Sequence, residues 1–313
     1  MVLKQERKKQ FVASLLLTLA AFIWGTAFVA QSEALDILGH FTFLASRSYL
    51  GVLALIPVSL VIYKRGQKKG VGTHNEYKSF FSKKLILGGT FCGIALFTAS
   101  FLQQIGIISS GIGKSGFLTT LYVLAVPVLG IFLKRKIRPF MWVCIALGIT
   151  GMYFLCVSET SALNFGDVML ILCAVCFAVH IMIVDHFVKT VDGVRLSLIQ
   201  FFVCGTLSLV TALISEDIDF NLIKEAFVSI FYAGVMSSGV AYTLQIISQK
   251  NLNPTVACLL MSLESVFAAL SGAVFGERLT NNEIFGCVLV FVAIILAQLP
   301  VENIKLNKKS STC

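Results

Sequence analysis

Charged residues are scarce in this chain. Only 13% of its 313 residues are Asp, Glu, Lys or Arg, against roughly 25% in soluble proteins. Apolar residues make up 57%, and the mean hydropathy is +0.88. So few charges cannot cover a water-facing surface around so much apolar side chain, which excludes a soluble or a disordered protein. The apolar runs are continuous rather than alternating, which also excludes an outer-membrane barrel.

Histidine is scarce too, and this argues against an enzyme. The four histidines lie in no motif with a second acid at catalytic spacing. Cys173 and Cys176 form a CxxC motif without the second pair or the histidine cluster of a zinc site. Gly113-Lys114-Ser115 lacks the preceding glycine of a phosphate-binding loop. We expect no catalytic residue, no metal and no other cofactor, and a membrane-embedded enzyme is the less favoured alternative.

Long apolar runs dominate the rest of the chain. Ten runs of about 20 mostly apolar residues are each long enough to cross a hydrocarbon core about 30 Å thick. The sequence therefore predicts an all-α integral membrane protein with ten transmembrane helices. Most gaps are short, so consecutive helices are expected to be antiparallel neighbours in one bundle. The runs begin at Phe11, Gly39, Leu85, Ile112, Arg138, Gly166, Arg195, Ala226, Pro254 and Asn282, and the last ends near Leu299.

The basic residues predict the orientation. Nearly all lysines and arginines fall in alternate inter-span segments, starting with the N-terminal segment. Because positive segments stay inside, the tails 1–10 and 300–313 are expected in the cytoplasm, with the spans in the plasma membrane. The same excess of positive charge predicts contact with anionic lipids of the inner leaflet. A nucleic-acid partner is not expected, since no water-facing domain carries a basic stripe.

The chain also contains an internal repeat. Aligned with itself without a gap, it lays Phe101-Leu102-Gln103 on Thr243-Leu244-Gln245, and the span pattern and loop lengths coincide as well. This predicts two halves of five helices, 11–157 and 166–299. Because five is odd, the second half must enter the membrane the opposite way round. Such inverted repeats are typical of secondary transporters, whose substrate site lies near the midplane between the halves.

Three segments carry a resemblance to a known family. They are Phe22-Ile23-Trp24-Gly25-Thr26-Ala27-Phe28-Val29, Ser262-Leu263-Glu264-Ser265-Val266-Phe267-Ala268-Ala269, and Gly276-Glu277-Arg278-Leu279. Together with Arg47 in the second span, their order resembles the two EamA repeats of the drug/metabolite transporter superfamily, over residues 11–299. The resemblance implies ten-helix exporters or permeases for amino acids, metabolites or other small organic molecules. Where many relatives have proline after the glutamate, this chain has Ser265, so a proline kink is not assumed there.

Glu264 is the most informative polar residue. It lies about halfway along the ninth span, where an ionised carboxylate is costly and has to pair or stay protonated. One interpretation is a site for a coupling proton or for a substrate ammonium group. The other is a neutral glutamic acid that holds helices together through hydrogen bonds.

Arg47 lies too deep in the second span to be a casual surface residue, although it can extend outward. A buried guanidinium needs an anionic partner, which is either a substrate carboxylate or a protein acid such as Glu264 or Glu33. Of these, pairing with a protein acid is favoured.

Four more side chains are candidates for a cavity wall. Gln103 and Gln245 match across the repeat, and such amides either bind polar substrate groups or bond helices to each other. Trp24 and Tyr122 lie near mid-membrane rather than in the interfacial belts typical of these aromatics, so they either line a cavity or pack.

Three other polar residues are weaker candidates for a functional role. His180 and Asp185 in the sixth span allow a proton relay, although a buried histidine with a satisfied hydrogen bond is favoured. Lys114 at the start of the fourth span is favoured as an interfacial anchor.

Taken together, these features predict a secondary transporter, an exporter or permease of a small organic metabolite, that works by alternating access. The predicted substrate-binding residues are Trp24, Arg47, Gln103, Tyr122, Gln245 and Glu264, and Glu264 is the predicted site of proton coupling. A non-transporting sensor or scaffold is the alternative. A homodimer is left open.

Overall fold

The computed structural model describes residues 2–69, 80–110, 112–135, 137–156, 164–274 and 280–298. Within these ranges the chain is helical apart from turns and short connections. The predicted tail 300–313 and the motif at 276–279 lie outside the described residues, and so does the side chain of Lys114. The helices are α1 Val2–Leu35, α2 His40–Lys69, α3 Lys83–Ser110, α4 Ile112–Thr120, α5 Tyr122–Phe132, α6 Pro139–Cys156, α7 Phe165–Phe187, α8 Gly193–Ser215, α9 Phe220–Glu225, α10 Phe227–Phe231, a π-helix Tyr232–Ala241, α11 Tyr242–Gln249, α12 Pro254–Met261, α13 Leu263–Val274 and α14 Asn281–Gln298.

Nine helical segments in the described part of the chain are long and apolar enough to cross a membrane. The predicted fifth span is represented by a shorter apolar helix, Pro139–Phe154, so the count of ten is not confirmed. Most of the predicted tail 1–10 is helical, because α1 begins at Val2. Lys, Gln, Glu and Arg there are strong helix formers and extend the first helix beyond its apolar part.

Side chains cap the N-terminal ends of several later helices. Asn164 and Asp167 form a reciprocal capping box at the start of α7, and Asp192 accepts a hydrogen bond from the backbone of Arg195 at the start of α8. Asn253 caps α12, whose first residue is Pro254. These side chains satisfy backbone N–H groups that have no partner within the helix.

Helices from opposite halves make the most extensive contacts. The main pairs are α3 with α7, α2 with α8, α6 with α14, and α1 with α13. The prediction that consecutive helices are direct neighbours is therefore wrong for much of the bundle, since α1 with α2 and α2 with α3 touch only slightly. The two halves are interleaved, and their contact runs through the centre of the molecule.

Glycines allow two of these close approaches. A Cβ at Gly151 of α6 would lie 2.8 Å from the carbonyl oxygen of Gly286 in α14. A Cβ at Gly25 of α1 would lie 2.7 Å from the carbonyl oxygen of Glu264. Because no side chain fits there, glycine lets the backbones meet.

Candidate functional site

The fourth and ninth spans are both interrupted near their middle. Leu121 separates α4 from α5, and Ser262 separates α12 from α13. No proline stands at either interruption, so the missing proline after Glu264 does not keep the ninth span continuous. The two breaks fall at nearly matching positions of the repeat, and short helix ends at mid-membrane are where secondary transporters bind their substrates.

Tyr122 and Glu264 meet at these breaks. Tyr122 is the first residue of α5 and Glu264 the second of α13, and they are 142 residues apart, the spacing that also aligns Gln103 with Gln245. The Tyr122 hydroxyl donates a hydrogen bond of 3.2 Å to Oε1 of Glu264. Both side chains are buried. One hydrogen bond therefore joins equivalent points of the two halves.

A central cavity lies beside this hydrogen bond. It is contracted, with about 60 Å³ open to the centres of water molecules, which is room for a few waters. The structure brings all six predicted substrate-binding residues to its wall. The lining comprises Trp24, Ala27, Phe28, Gln31, Arg47, Gln103, Thr119, Tyr122, Phe177, Ile181, Ser237, Tyr242, Gln245, Met261 and Glu264.

Gln31 and Ser237 are polar wall residues that the sequence analysis missed. For Gln31 a signal was present, because Trp24, Ala27, Phe28 and Gln31 follow the i, i+3, i+4, i+7 spacing of a single helix face. For Ser237 there was none, because its position depends on the π-helix.

Arg47 is held by neutral groups. Its Nε donates to Oγ of Ser238 at 3.2 Å, its Nη1 to Oε1 of Gln31 at 2.9 Å, and its Nη2 to Oγ of Ser237 at 3.3 Å. The guanidinium also lies over the ring of Phe43, 5.7 Å from its centroid. Hydrogen bonds from both repeats thus fix its position.

The favoured pairing of Arg47 with a protein acid is not found. Among the described residues Arg47 forms no ion pair. Glu264 is bonded to Tyr122, and Glu33 accepts a hydrogen bond from Ser229 at 3.2 Å. The position of Arg47 within the second span correctly indicated that it is buried. Three neutral side chains, however, take the place of the expected carboxylate.

The π-helix explains how two consecutive serines reach one guanidinium. Ser237 and Ser238 both lie within Tyr232–Ala241, a ten-residue π-helical segment. In an α-helix, neighbouring residues point about 100° apart, and the wider π turn changes that spacing; such segments are frequent at functional sites. Gly234 allows close packing there, since a Cβ would lie 2.9 Å from the carbonyl oxygen of Arg47.

Several polar atoms of the wall are buried without a hydrogen-bond partner in the described part of the chain. They are Nε1 of Trp24, Nε2 of Gln31, Oγ1 of Thr119 and Oε1 of Gln245. Trp24 also packs edge-on against Tyr242, with ring centroids 4.9 Å apart. Buried polar groups are normally satisfied, so these atoms are available to a polar ligand or to water.

His180 and Asp185 do not form a relay. Nε2 of His180 lies 3.0 Å from Oε1 of Gln200. Oδ2 of Asp185 pairs with Nη1 of Arg135 at 2.7 Å and with Nζ of Lys189 at 3.0 Å. The two side chains thus have separate partners, which favours the structural interpretation. No group of three or more His, Cys, Asp or Glu that could hold a metal ion occurs in the described ranges.

A second cavity opens at the end of the bundle where α1 begins. It offers about 620 Å³ to the centres of water molecules, far more than the central cavity. Arg7, Arg135 and Arg138 line it, and no acidic side chain among the described residues does. On α1, α5 and α12, residues between those that line the two cavities are buried and apolar, among them Leu17, Val123 and Cys258. We call this second cavity the basic cavity.

The chain is similar to a protein named as a transporter, to a WAT1-related protein and to a solved structure. It is 29% identical over 303 residues to an uncharacterized transporter of Archaeoglobus fulgidus, covering 95% of this chain and 89% of that protein. It is 25% identical over 296 residues to a chloroplastic WAT1-related protein of Arabidopsis thaliana, covering 90% and 68%. A crystal structure of a protein 17% identical in sequence superimposes with a TM-score of 0.73, covering 92% of this chain and 96% of the other, which shows a shared fold.

The family profile described as EamA-like transporter family matches residues 11–157 and again residues 164–299. The two matches span almost the whole chain, one on each half of the bundle. This protein is therefore a multi-pass membrane protein with two EamA repeats, and it belongs to the EamA-like transporter family.

Proposed function

We propose that this protein is a secondary transporter, an exporter or permease that moves a small organic solute across the plasma membrane, with both termini in the cytoplasm. The observation that carries the proposal is the polar cavity at the contact between the two repeats. Its wall is built by helices of both halves, and it contains one arginine and one glutamate. Midplane sites at a repeat interface are the usual binding sites of such transporters.

Alternating access is supported by the unequal cavities. The central cavity is too contracted for most organic solutes, whose sites usually measure about 300–1,000 Å³. On α5, Tyr122 lines the central cavity and Val126 the basic cavity, while Val123 between them is fully buried. A solute can pass only if the buried region between the cavities opens, and movement of one half against the other would open it.

A few hydrogen bonds connect the two halves and would change during this movement. The bond from Tyr122 to Glu264 joins α5 to α13, and the bonds from Arg47 to Ser237 and Ser238 join α2 to the π-helix. Opening between the halves breaks or rearranges these few bonds. We place the coupling proton on Glu264, because it is the acidic side chain of the cavity wall and its neighbour Tyr122 lies on the opposite half.

Flux measured in proteoliposomes tests the proposal. The purified protein, reconstituted and loaded with a mixture of metabolites, is expected to release or accumulate at least one of them faster than protein-free vesicles. Ala27→Trp, which fills the central cavity, should abolish this flux. Leu15→Trp on the lipid-facing side of the same helix, where Leu15 is 54% exposed, is the matched control and should keep it.

The alternatives give different results. A sensor or scaffold binds a solute without moving it, and an enzyme changes the composition of the mixture. Flux that is equal in the wild type and Ala27→Trp would contradict the central cavity as the route.

A further inference from the structure

Arg47 is a buried cation with no counter-charge among the residues that the structure describes. Its side chain is only 6% exposed, and it forms no ion pair in the described part of the chain. Burying an unpaired charge costs several kcal/mol unless strong hydrogen bonds or an opposite charge compensate it. The neutral partners Gln31, Ser237 and Ser238 supply hydrogen bonds but no charge.

The acids of neighbouring elements are occupied elsewhere. Glu264 is bonded to Tyr122, at a position where it makes no ion pair with Arg47. Glu216 accepts hydrogen bonds from the backbone of Phe41 and Thr42 and caps the start of α2. Neither Glu264 nor Glu216 therefore supplies the negative charge that Arg47 lacks.

The guanidinium keeps N–H donors that its three hydrogen bonds do not use. The three hydrogen bonds of Arg47 use Nε, Nη1 and Nη2 once each. Since Nη1 and Nη2 each carry two hydrogens, one N–H on each remains. Two N–H groups of a planar fork bind both oxygens of a carboxylate at once, which a single ammonium cannot do.

The rest of the wall suits an organic acid. Nε1 of Trp24 and Nε2 of Gln31 are further buried donors without a partner among the described residues. Phe28, Phe177 and Ile181 supply apolar surface for a carbon skeleton. Among the described wall residues, the partnerless acceptor is Oε1 of Gln245, and the hydroxyl of Thr119 can donate or accept. Together with the unused N–H groups of Arg47, the partnerless donors outnumber this acceptor, which favours an anion over an amine.

We propose that the solute is an organic carboxylate with an apolar body, and that Arg47 binds its carboxylate group through both oxygens. The proposal rests on the proposed transport function and assigns its substrate class. The basic cavity agrees with it, since Arg7 and Arg138 line the other end of the route without an acidic side chain among the described lining. A proton carried on Glu264 would compensate the charge of one carboxylate in each cycle.

Tryptophan fluorescence can test this directly, because the chain has only two tryptophans and one of them, Trp24, lines the cavity. In the full-length Trp142→Phe protein, Trp24 is the single emitter. Benzoate, phenylacetate and hexanoate are titrated beside their neutral amides, benzamide, phenylacetamide and hexanamide. At least one carboxylate is expected to shift the emission saturably and to bind at least tenfold more tightly than its amide.

Arg47→Gln in the same background should weaken carboxylate binding roughly 10- to 100-fold, the range for losing hydrogen bonds to a charged group. Arg47→Lys keeps the charge but not the fork and should fall between the two. Lys250→Gln removes one positive charge at an exposed turn and is the matched control. If no carboxylate shifts the emission, if amides bind as well, or if Arg47→Gln binds like the wild type, the inference is wrong.

This result is separable from that of the transport proposal. If a neutral or cationic solute is transported and no carboxylate binds, the proposal of a transporter stands and the proposal of a carboxylate substrate is wrong. If carboxylate binding depends on Arg47 but no flux occurs in proteoliposomes, the carboxylate site stands and the proposal of a transporter is wrong.

Discussion

Glu264 is held by a single neutral hydrogen bond, and this limits the charge that it can carry in the contracted state. An ionised carboxylate in a buried site needs several donors or a cation, and among the described residues the hydrogen-bond donor to Glu264 is the hydroxyl of Tyr122. A protonated Glu264 is therefore compatible with the closed contact between α5 and α13. Under the proposed proton coupling, ionisation would favour a hydrated, opened arrangement, so a proton bound to this side chain would bias the position of one repeat against the other.

At this residue we expect Glu264→Gln to separate exchange from accumulation. The amide keeps the volume and hydrogen bonding of the protonated acid but cannot ionise. Substrate counterflow should therefore stay within a few-fold of the wild type, while accumulation driven by a pH difference across the vesicle membrane should fall to background. Both are measured in the same proteoliposomes, once the flux screen has supplied a transported solute.

The matched control for Glu264→Gln is Glu283→Gln, at a half-buried position in the first turn of α14, which should leave both activities unchanged. Full pH-driven accumulation by Glu264→Gln would show that another group carries the proton. Glu264 would then keep only its structural role.

At the scale of helices, the sequence indicated where polar residues lie in depth but not how the helices are interrupted. Trp24, Arg47 and Glu264 were identified because a polar or amphipathic side chain far from the interfaces has to meet a cavity or a partner. The breaks at Leu121 and Ser262 and the π-helix have no proline to mark them. They depend on packing against other helices, which cannot be read from local sequence patterns.

Close packing of α6 on α14 gives a test at this scale. A Cβ at Gly151 would meet backbone atoms, 2.8 Å from the carbonyl oxygen of Gly286 and from the nitrogen of Val290. At Gly148, on the same helix, the nearest atom is a side-chain methyl of Leu259, at 3.2 Å. Because backbone cannot yield as a side-chain end can, Gly151→Ala should lower the free energy of unfolding by about 1–3 kcal/mol. Gly148→Ala should cost less than about 1 kcal/mol.

Thermal unfolding of the two purified variants in the same detergent measures this difference. Equal melting temperatures for both alanine variants would mean that α6 and α14 do not approach as closely as described. Either variant can be compared with the wild type for flux, since neither glycine lines the central cavity.

At the scale of the whole molecule, hydropathy and repeat spacing were sufficient for the fold class but not for the arrangement of the bundle. Span length is determined by the membrane and is therefore visible in composition. Which helices touch is decided by side-chain shape across the two repeats, so the expected contacts between consecutive helices were replaced by contacts such as α2 with α8.

The orientation of the whole molecule in the membrane is predicted from the positions of its lysines and arginines. Transfer of several such residues to the outer face is disfavoured during insertion, so the turn that contains Lys250 should be cytoplasmic and the turn that contains Asp217 external. On a background without the nine native cysteines, Asp217→Cys should react with an impermeant maleimide in intact cells, and Asn251→Cys should not. Both positions are exposed, so both should label fully after the membrane is permeabilised, which controls for folding and reactivity. The opposite labelling in intact cells would place the termini outside, and the basic cavity would then face the exterior rather than the cytoplasm.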